Sequence, residues 1–189
     1  MPLVLNAQNQ GLNNLWYLGY SSWAGSPYGG IEIDFISGTP VINYFSRPMD
    51  LNRTHSNISD ASGNMLFYTN GYYIADATND TMQNGTGIGP TNFINVWPEG
   101  LVIPQACLII PKPGSSNLFY LFHNTLDNPP AYNKSHYLYL SVIDMNGNGG
   151  LGSVILKNQI LIQDTLNPGK ITAVKHANGR DWWVTCQRI

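Results

Sequence analysis

Charge is what this chain has least of. Of its 189 residues, 11% are Asp, Glu, Lys or Arg, less than half the roughly one quarter usual for soluble domains. Nine basic residues against eleven acidic ones, with no Lys/Arg run, give no electrostatic footprint for nucleic acid. Ala, Glu, Lys and Leu are too sparse at helical spacing for a coiled coil or helical bundle. No apolar stretch nears the ~20 residues that a helix needs to cross a bilayer. Cysteine is scarce too. Cys107 and Cys186 are no disulfide framework and have no CxxC partner or metal-ligand neighbour. Each sits in an apolar run, which reads as a buried free thiol. What the chain does hold is 22 Asn, 19 Gly, 12 Pro, 43% hydrophobic and 12% aromatic residues. That richness in large apolar side chains argues against disorder. The combination reads as a turn-rich, all-β protein.

A repeat organises the sequence. Asn14-Leu-Trp-Tyr-Leu-Gly19 is echoed by Asn64-Met-Leu-Phe-Tyr-Thr-Asn-Gly71, by Asn117-Leu-Phe-Tyr-Leu-Phe-His-Asn124 and, more loosely, by Asp181-Trp-Trp-Val-Thr185. Before the last three copies comes an apolar residue, then a polar turn with Gly, as in Val174-Lys-His-Ala-Asn-Gly-Arg-Asp181. Glycine there permits the positive φ of hairpin turns. Repeats of roughly 40–50 residues with four strands each are the pattern of propeller blades, with aromatic strands filling the space between sheets. The expected fold is therefore a β-propeller-like array of about three four-stranded antiparallel blades plus loose terminal strands, in an incomplete ring. The blade-like units are placed near 15–54, 55–104, 105–169 and 170–189, within a partial propeller domain spanning 9–189. Residues 1–8, apolar and then small and polar, read as the remnant of a secretory signal peptide. Remaining blades of the same polypeptide are expected beyond Ile189. Outer strands are expected at 31–36, 136–143, 153–156 and 159–163. Residues 75–104, dense in Asn, Thr, Gly and Pro, read as the longest irregular stretch and the place where binding is expected.

Several of these runs resemble a known family. Ile58-Ser-Asp-x-x-Gly-Asn-x-Leu-Phe-Tyr-Thr-Asn-Gly71, Met82-x-Asn-Gly-Thr-Gly87, Ile110-Pro-Lys-Pro-Gly-Ser-Ser-Asn117, Val142-Ile-Asp-Met-Asn146, Gly149-Gly-Leu-Gly152 and Lys170-Ile-Thr-Ala-Val-Lys-His-Ala-Asn-Gly179 are similar, in the same order, to motifs in the N-terminal β-propeller region of large surface proteins of gliding bacteria. Those proteins are often labelled gliding-motility-associated and carry type IX secretion sorting domains. The resemblance implies a propeller in a secreted or outer-surface protein; the work expected of this chain is scaffolding or adhesion. It brings no catalytic residues with it.

The residues themselves offer little chemistry. Asp144, Asn146 and Asn148 match the first half of a calcium loop, but position twelve, which should be a bidentate Glu, is Ile155. A Gly/Asn-rich hairpin turn is the better reading. Glu32 and Asp34 lie at i and i+2 and read as the wet side of an edge strand rather than a glycosidase pair. Four histidines, His55, His123, His136 and His176, show no metal spacing, and no nucleophile–base pair or phosphate fingerprint is present. The expectation is no enzyme, no catalytic residue, no cofactor and no metal. Exposed aromatics are the best binding hint. Tyr72, Tyr73 and Trp97 fall in or beside the irregular loops and are the binding candidates, for a glycan or a surface-protein partner. The alternatives are part of a propeller glycosidase or lyase whose catalytic residues lie outside this chain, and a structural spacer without a ligand.

Overall fold

The computed structural model describes residues 11–127 and 133–189. The signal-peptide reading of residues 1–8 falls outside them. The fold is all-β, with 44% strand and 4% helix. No helix among the described residues is long and apolar enough to cross a membrane, which says nothing about β-barrel proteins.

Strands β1 (Leu15–Leu18), β2 (Ile31–Asp34) and β3 (Val41–Tyr44) form a three-stranded antiparallel sheet. Strands β4 (Ser56–Ser59), β5 (Met65–Thr69), β6 (Tyr73–Asp76) and β7 (Thr81–Thr86) follow as one meander. A second meander comprises β8 (Cys107–Pro111), β9 (Leu118–His123), β10 (Ser135–Asp144) and β11 (Ser153–Leu166). A two-stranded sheet of β12 (Thr172–Lys175) and β13 (Trp182–Thr185) ends the series. The aromatic repeat forms β1, β5, β9 and β13. Rather than two separate four-stranded sheets, the central meanders join as eight strands, because β7 and β11 meet through a parallel bridge at Gln83 and Ser153. At the other side β4 and β8 lie together, with Ile109 N donating to Ser56 Oγ at 3.3 Å. The result is a nearly closed, barrel-like sheet of eight strands.

Its interior explains why the aromatic strands lack strict polar alternation. Ile58, Phe67, Ile74 and Met82 of the first meander pack against Cys107, Ile109, Phe119, Leu121, Ile143 and Val154 of the second. Phe67 and Phe119 meet edge to face across this seam, with centroids 5.6 Å apart. The opposite faces of the two meanders are covered in part, leaving much of β11 exposed. Met65, Tyr68 and Ala75 pack with Leu15 and Tyr17 of β1 and with Met49 and Leu51. Ile110, Phe122 and Leu138 pack with Leu166 and Ile171, against which Ala173, Trp182, Val184 and Cys186 also lie. Strands buried on both faces carry near-continuous apolar runs. The outermost sheets each leave a face open. Val174 and Trp183, directly opposed in β12 and β13, are 63% and 60% exposed, and Trp16, Ile42 and Tyr44 are exposed on the first sheet.

Polar side chains close the turns, which accounts for the Asn and Asp content. Asp60 Oδ1 accepts from Ser62 N and Asn64 N at 2.8 and 2.9 Å in the turn into β5. Gly63 in that turn has φ +84, and a Cβ there would come within 2.7 Å of Ile36 Cγ1; another residue would meet both strain and a clash. Asn178 Oδ1 plays the same part before β13, accepting from Arg180 N and Asp181 N at 3.0 Å each.

Three sequence expectations need correction. Residues 75–104 are not irregular throughout, since β6 runs to Asp76 and β7 occupies Thr81–Thr86. Glu32 and Asp34 are not on an edge strand, because β2 lies between β1 and β3; Glu32 accepts from Asn43 Nδ2 at 3.2 Å and Asp34 from Ile36 N at 2.7 Å. The thiols are both free, but only Cys107 is buried, and its burial pushes the thiol up to about 12. Cys186 is half-buried.

Candidate functional site

The loops at one rim of the sheets gather around a cleft of about 460 Å³ lined by Tyr20, Asn52, Arg53, Trp97 and Val102. Each side chain is delivered by a constraint that can be traced. An antiparallel bridge between Gly19 and Leu51, with Leu51 N donating to Gly19 O at 3.2 Å, sets Tyr20 beside Asn52. Thr54 N donates to Leu101 O at 3.2 Å, and the Thr54 hydroxyl donates to Ile103 O. This ties the Asn52–Arg53 segment to Val102, whose carbonyl also accepts from Arg53 Nη1 at 3.4 Å.

Trp97 is held from two sides. A 3-10 turn at Asn92–Asn95 is capped by Thr91, whose hydroxyl oxygen accepts from Phe93 N at 3.1 Å. Its O–H anchors the turn by donating to Leu126 O at 2.7 Å. Trp97 N donates to Phe93 O at 2.9 Å, and the Trp97 carbonyl accepts the Tyr72 hydroxyl at 3.0 Å. The indole itself is 40% exposed and the Tyr20 ring 58%. The cleft thus presents two aromatic surfaces flanked by an amide and a guanidinium, on backbone fixed to buried strands.

Of the three aromatics singled out from sequence, only Trp97 faces this cleft. Tyr72 is 4% exposed and packs with Phe93, Leu101, Ile103, Ala106 and Leu126. Burial pushes its hydroxyl well above the usual phenol range. It is therefore not a stacking surface; it positions Trp97 from beneath. Tyr73 is half-buried between two apolar clusters, and burial raises its hydroxyl also. Tyr20, Asn52 and Arg53 were not anticipated. The signal for Tyr20 was its place in an aromatic-rich irregular loop that also holds Trp23 and Tyr28, both strongly exposed.

Among the described residues, the His, Cys, Asp and Glu side chains do not converge as a catalytic or metal site. Asp144 Oδ1 accepts from Asn146 N at 2.9 Å within the turn before β11, and Asn148 and Gly149 take positive φ there. Among the described residues no three His, Cys, Asp or Glu side chains gather as metal ligands. His123 and His136 do not face each other. His123 opposes and stacks on Tyr139, with centroids 5.4 Å apart, while His136 Nδ1 lies 3.7 Å from Asp127 Oδ2. His123 Nε2 is 3.1 Å from Ser141 Oγ, the nearest approach to a nucleophile–base pair. Both residues are buried, at 1% and 0% exposure. Compared with family models, curated proteins and solved structures, the chain matches none.

Proposed function

We propose that this chain is a non-catalytic binding scaffold, a β-propeller-like part of an exported surface protein, which holds a glycan in the Tyr20–Trp97 cleft. The observation that carries the reading is the pairing of two half-exposed aromatic rings with the Asn52 amide and the Arg53 guanidinium in one cleft. Sugar rings present apolar C–H faces and hydroxyl edges, and aromatic planes with a few polar side chains suit both. The propeller reading is supported by two four-stranded antiparallel meanders in series, which share one buried seam and whose other faces are covered in part, β11 remaining largely exposed. The parallel joint between β7 and β11 is then a contact between adjacent blades at their outer strands. Further blades of the same polypeptide would cover the open apolar faces of the outermost sheets. The resemblance to the surface proteins of gliding bacteria supports the reading of export, and the aromatic cleft supports an adhesive role.

A glycan array with the wild-type chain and with Trp97→Ala and Tyr20→Ala tests this. The expected result is selective binding that weakens at least tenfold, about 1.4 kcal/mol, in either variant. Binding indifferent to both substitutions, or no binding to any glycan, defeats the assignment.

A further inference from the structure

The chain has nine basic residues, and three of them line one small cleft that shares no lining residue with the Tyr20–Trp97 cleft. It measures about 270 Å³ and lies between the turn that joins β8 to β9 and the turn that joins β12 to β13. Lys112, Lys175 and Arg180 border it, together with Ser115 and Trp182. Lys112 and Lys175 enter no ion pair among the described residues. Arg180 is paired through Nε and Nη2 with Asp181 at 2.8 and 3.0 Å, which leaves its Nη1 edge available. Counting Asp181, the cleft and its border carry a net +2 in a chain whose formal net charge is −2. The Lys175 ammonium stands 5.7 Å from the Trp182 ring centroid, a distance at which the ring's quadrupole attracts it.

Both turns are internally closed. Ser115 N donates to Lys112 O, Gly179 N to His176 O and His176 N to Asp181 O, at 3.1, 2.9 and 2.8 Å. The Ser115 hydroxyl oxygen accepts from Asn117 N and Leu118 N at 3.3 and 3.1 Å. The positions of the two lysines are thereby set by backbone, while few backbone groups are left for a ligand. A peptide that adds as an extra strand is recognised largely through main-chain pairing, and this cleft offers little of it. It offers unpaired positive charge beside an indole. Convergent charge of one sign in a concave site raises the local concentration of the opposite sign.

From this we infer that the Lys112–Lys175–Arg180 cleft is a second binding site, for carboxylated or sulfated polysaccharide. The inference does not depend on the Tyr20–Trp97 cleft. The anionic groups lie against the two ammoniums and the free guanidinium edge, with the sugar beside the half-buried Trp182. Because the charges are exposed, binding weakens as salt shortens the screening length from ~10 Å at 0.1 M to ~3 Å at 1 M.

The test uses the full chain, polygalacturonate, dextran sulfate and neutral dextran, with poly-glutamate as the peptide control, measured by calorimetry at low and high salt. The expected result is salt-sensitive binding of polygalacturonate or dextran sulfate, no binding of neutral dextran at this site, and at least a tenfold loss in Lys112→Gln/Lys175→Gln. The carboxylate and sulfate probes distinguish which anion the site takes. Both substitutions are at surface positions, and an unchanged thermal melt verifies that the variant is folded. Trp97→Ala should leave this binding intact, so failure here is separable from failure of the aromatic cleft. Three results would overturn the inference: no binding of either charged polysaccharide, binding undiminished in the double variant, or poly-glutamate binding as tightly as the polysaccharides.

Discussion

Replacing Phe67 by Ala should cost the fold about 3–5 kcal/mol, the range for a large aromatic deleted from a packed core. Phe67 is fully buried and sits in the seam between the two meanders, edge-on to Phe119. Its loss removes apolar surface from the seam and leaves a cavity that strands on either side are too constrained to fill. Against a typical total of about 5–15 kcal/mol, this is a large fraction. Urea denaturation followed by circular dichroism should show a clear drop in midpoint, with a smaller drop for Trp97→Ala because Trp97 is 40% exposed. A Phe67→Ala loss below about 1 kcal/mol would mean that the meanders do not pack across this seam.

Acid should destabilise the protein through His123. The ring is buried, stacked on Tyr139, and within hydrogen-bond distance of Ser141, whose oxygen also accepts from Asn158 N at 3.1 Å. Nδ1 has no partner among the described residues. Burial without a counter-charge holds the imidazole down at about 3, against about 6.5 in an unfolded chain. The unfolded state therefore takes up the proton first. Stability is complete above pH 6.5 and falls as the pH drops toward 3, by about 1.4 kcal/mol per unit. His55, also lowered by burial and then by the charge of Arg47, acts in the same direction. In His123→Gln the fall between pH 6.5 and 4.5 should be smaller, by roughly 2 kcal/mol. Parallel pH profiles for the two proteins would refute this account of His123.

The all-β class and the aromatic strands were readable because their causes are local. Asn, Asp and Gly cap turns through contacts two to four residues away, as at Asp60 and Asn178. Apolar runs such as Leu118–His123 are strands whose two faces are both covered. Strand β7 was not readable. Its sequence, Thr-Met-Gln-Asn-Gly-Thr, is polar except at Met82, and Asn84 takes positive φ within it. Its outer neighbour β11 holds it mainly through side chains. Lys157 Nζ donates to Asn84 Oδ1 and Thr86 O at 2.8 Å each, and Asn84 Nδ2 donates to Val154 O at 2.7 Å. Those partners lie more than seventy residues along the chain or nearly so, beyond any local pattern.

The site divides along the same line. Trp97 was visible as an aromatic in an irregular loop. Tyr72 looked equivalent to it, yet long-range packing buries its ring and turns its hydroxyl to the Trp97 carbonyl. Tyr20 and Arg53 converge only because Gly19 pairs with Leu51 and Thr54 with the Leu101 segment. No spacing rule in the sequence announces those pairings. The two clefts also divide the work of the scarce charge: Arg53 lies in the aromatic one, and three more cations in the other.

The five tryptophans give a direct readout of where a ligand sits. In a ¹H–¹⁵N NMR titration with a neutral glycan selected on the array, the indole N–H signal of Trp97 should shift to saturation while that of Trp182 stays in place. A saturating glycan that leaves the Trp97 signal unmoved would contradict the assignment of the Tyr20–Trp97 cleft as the binding site.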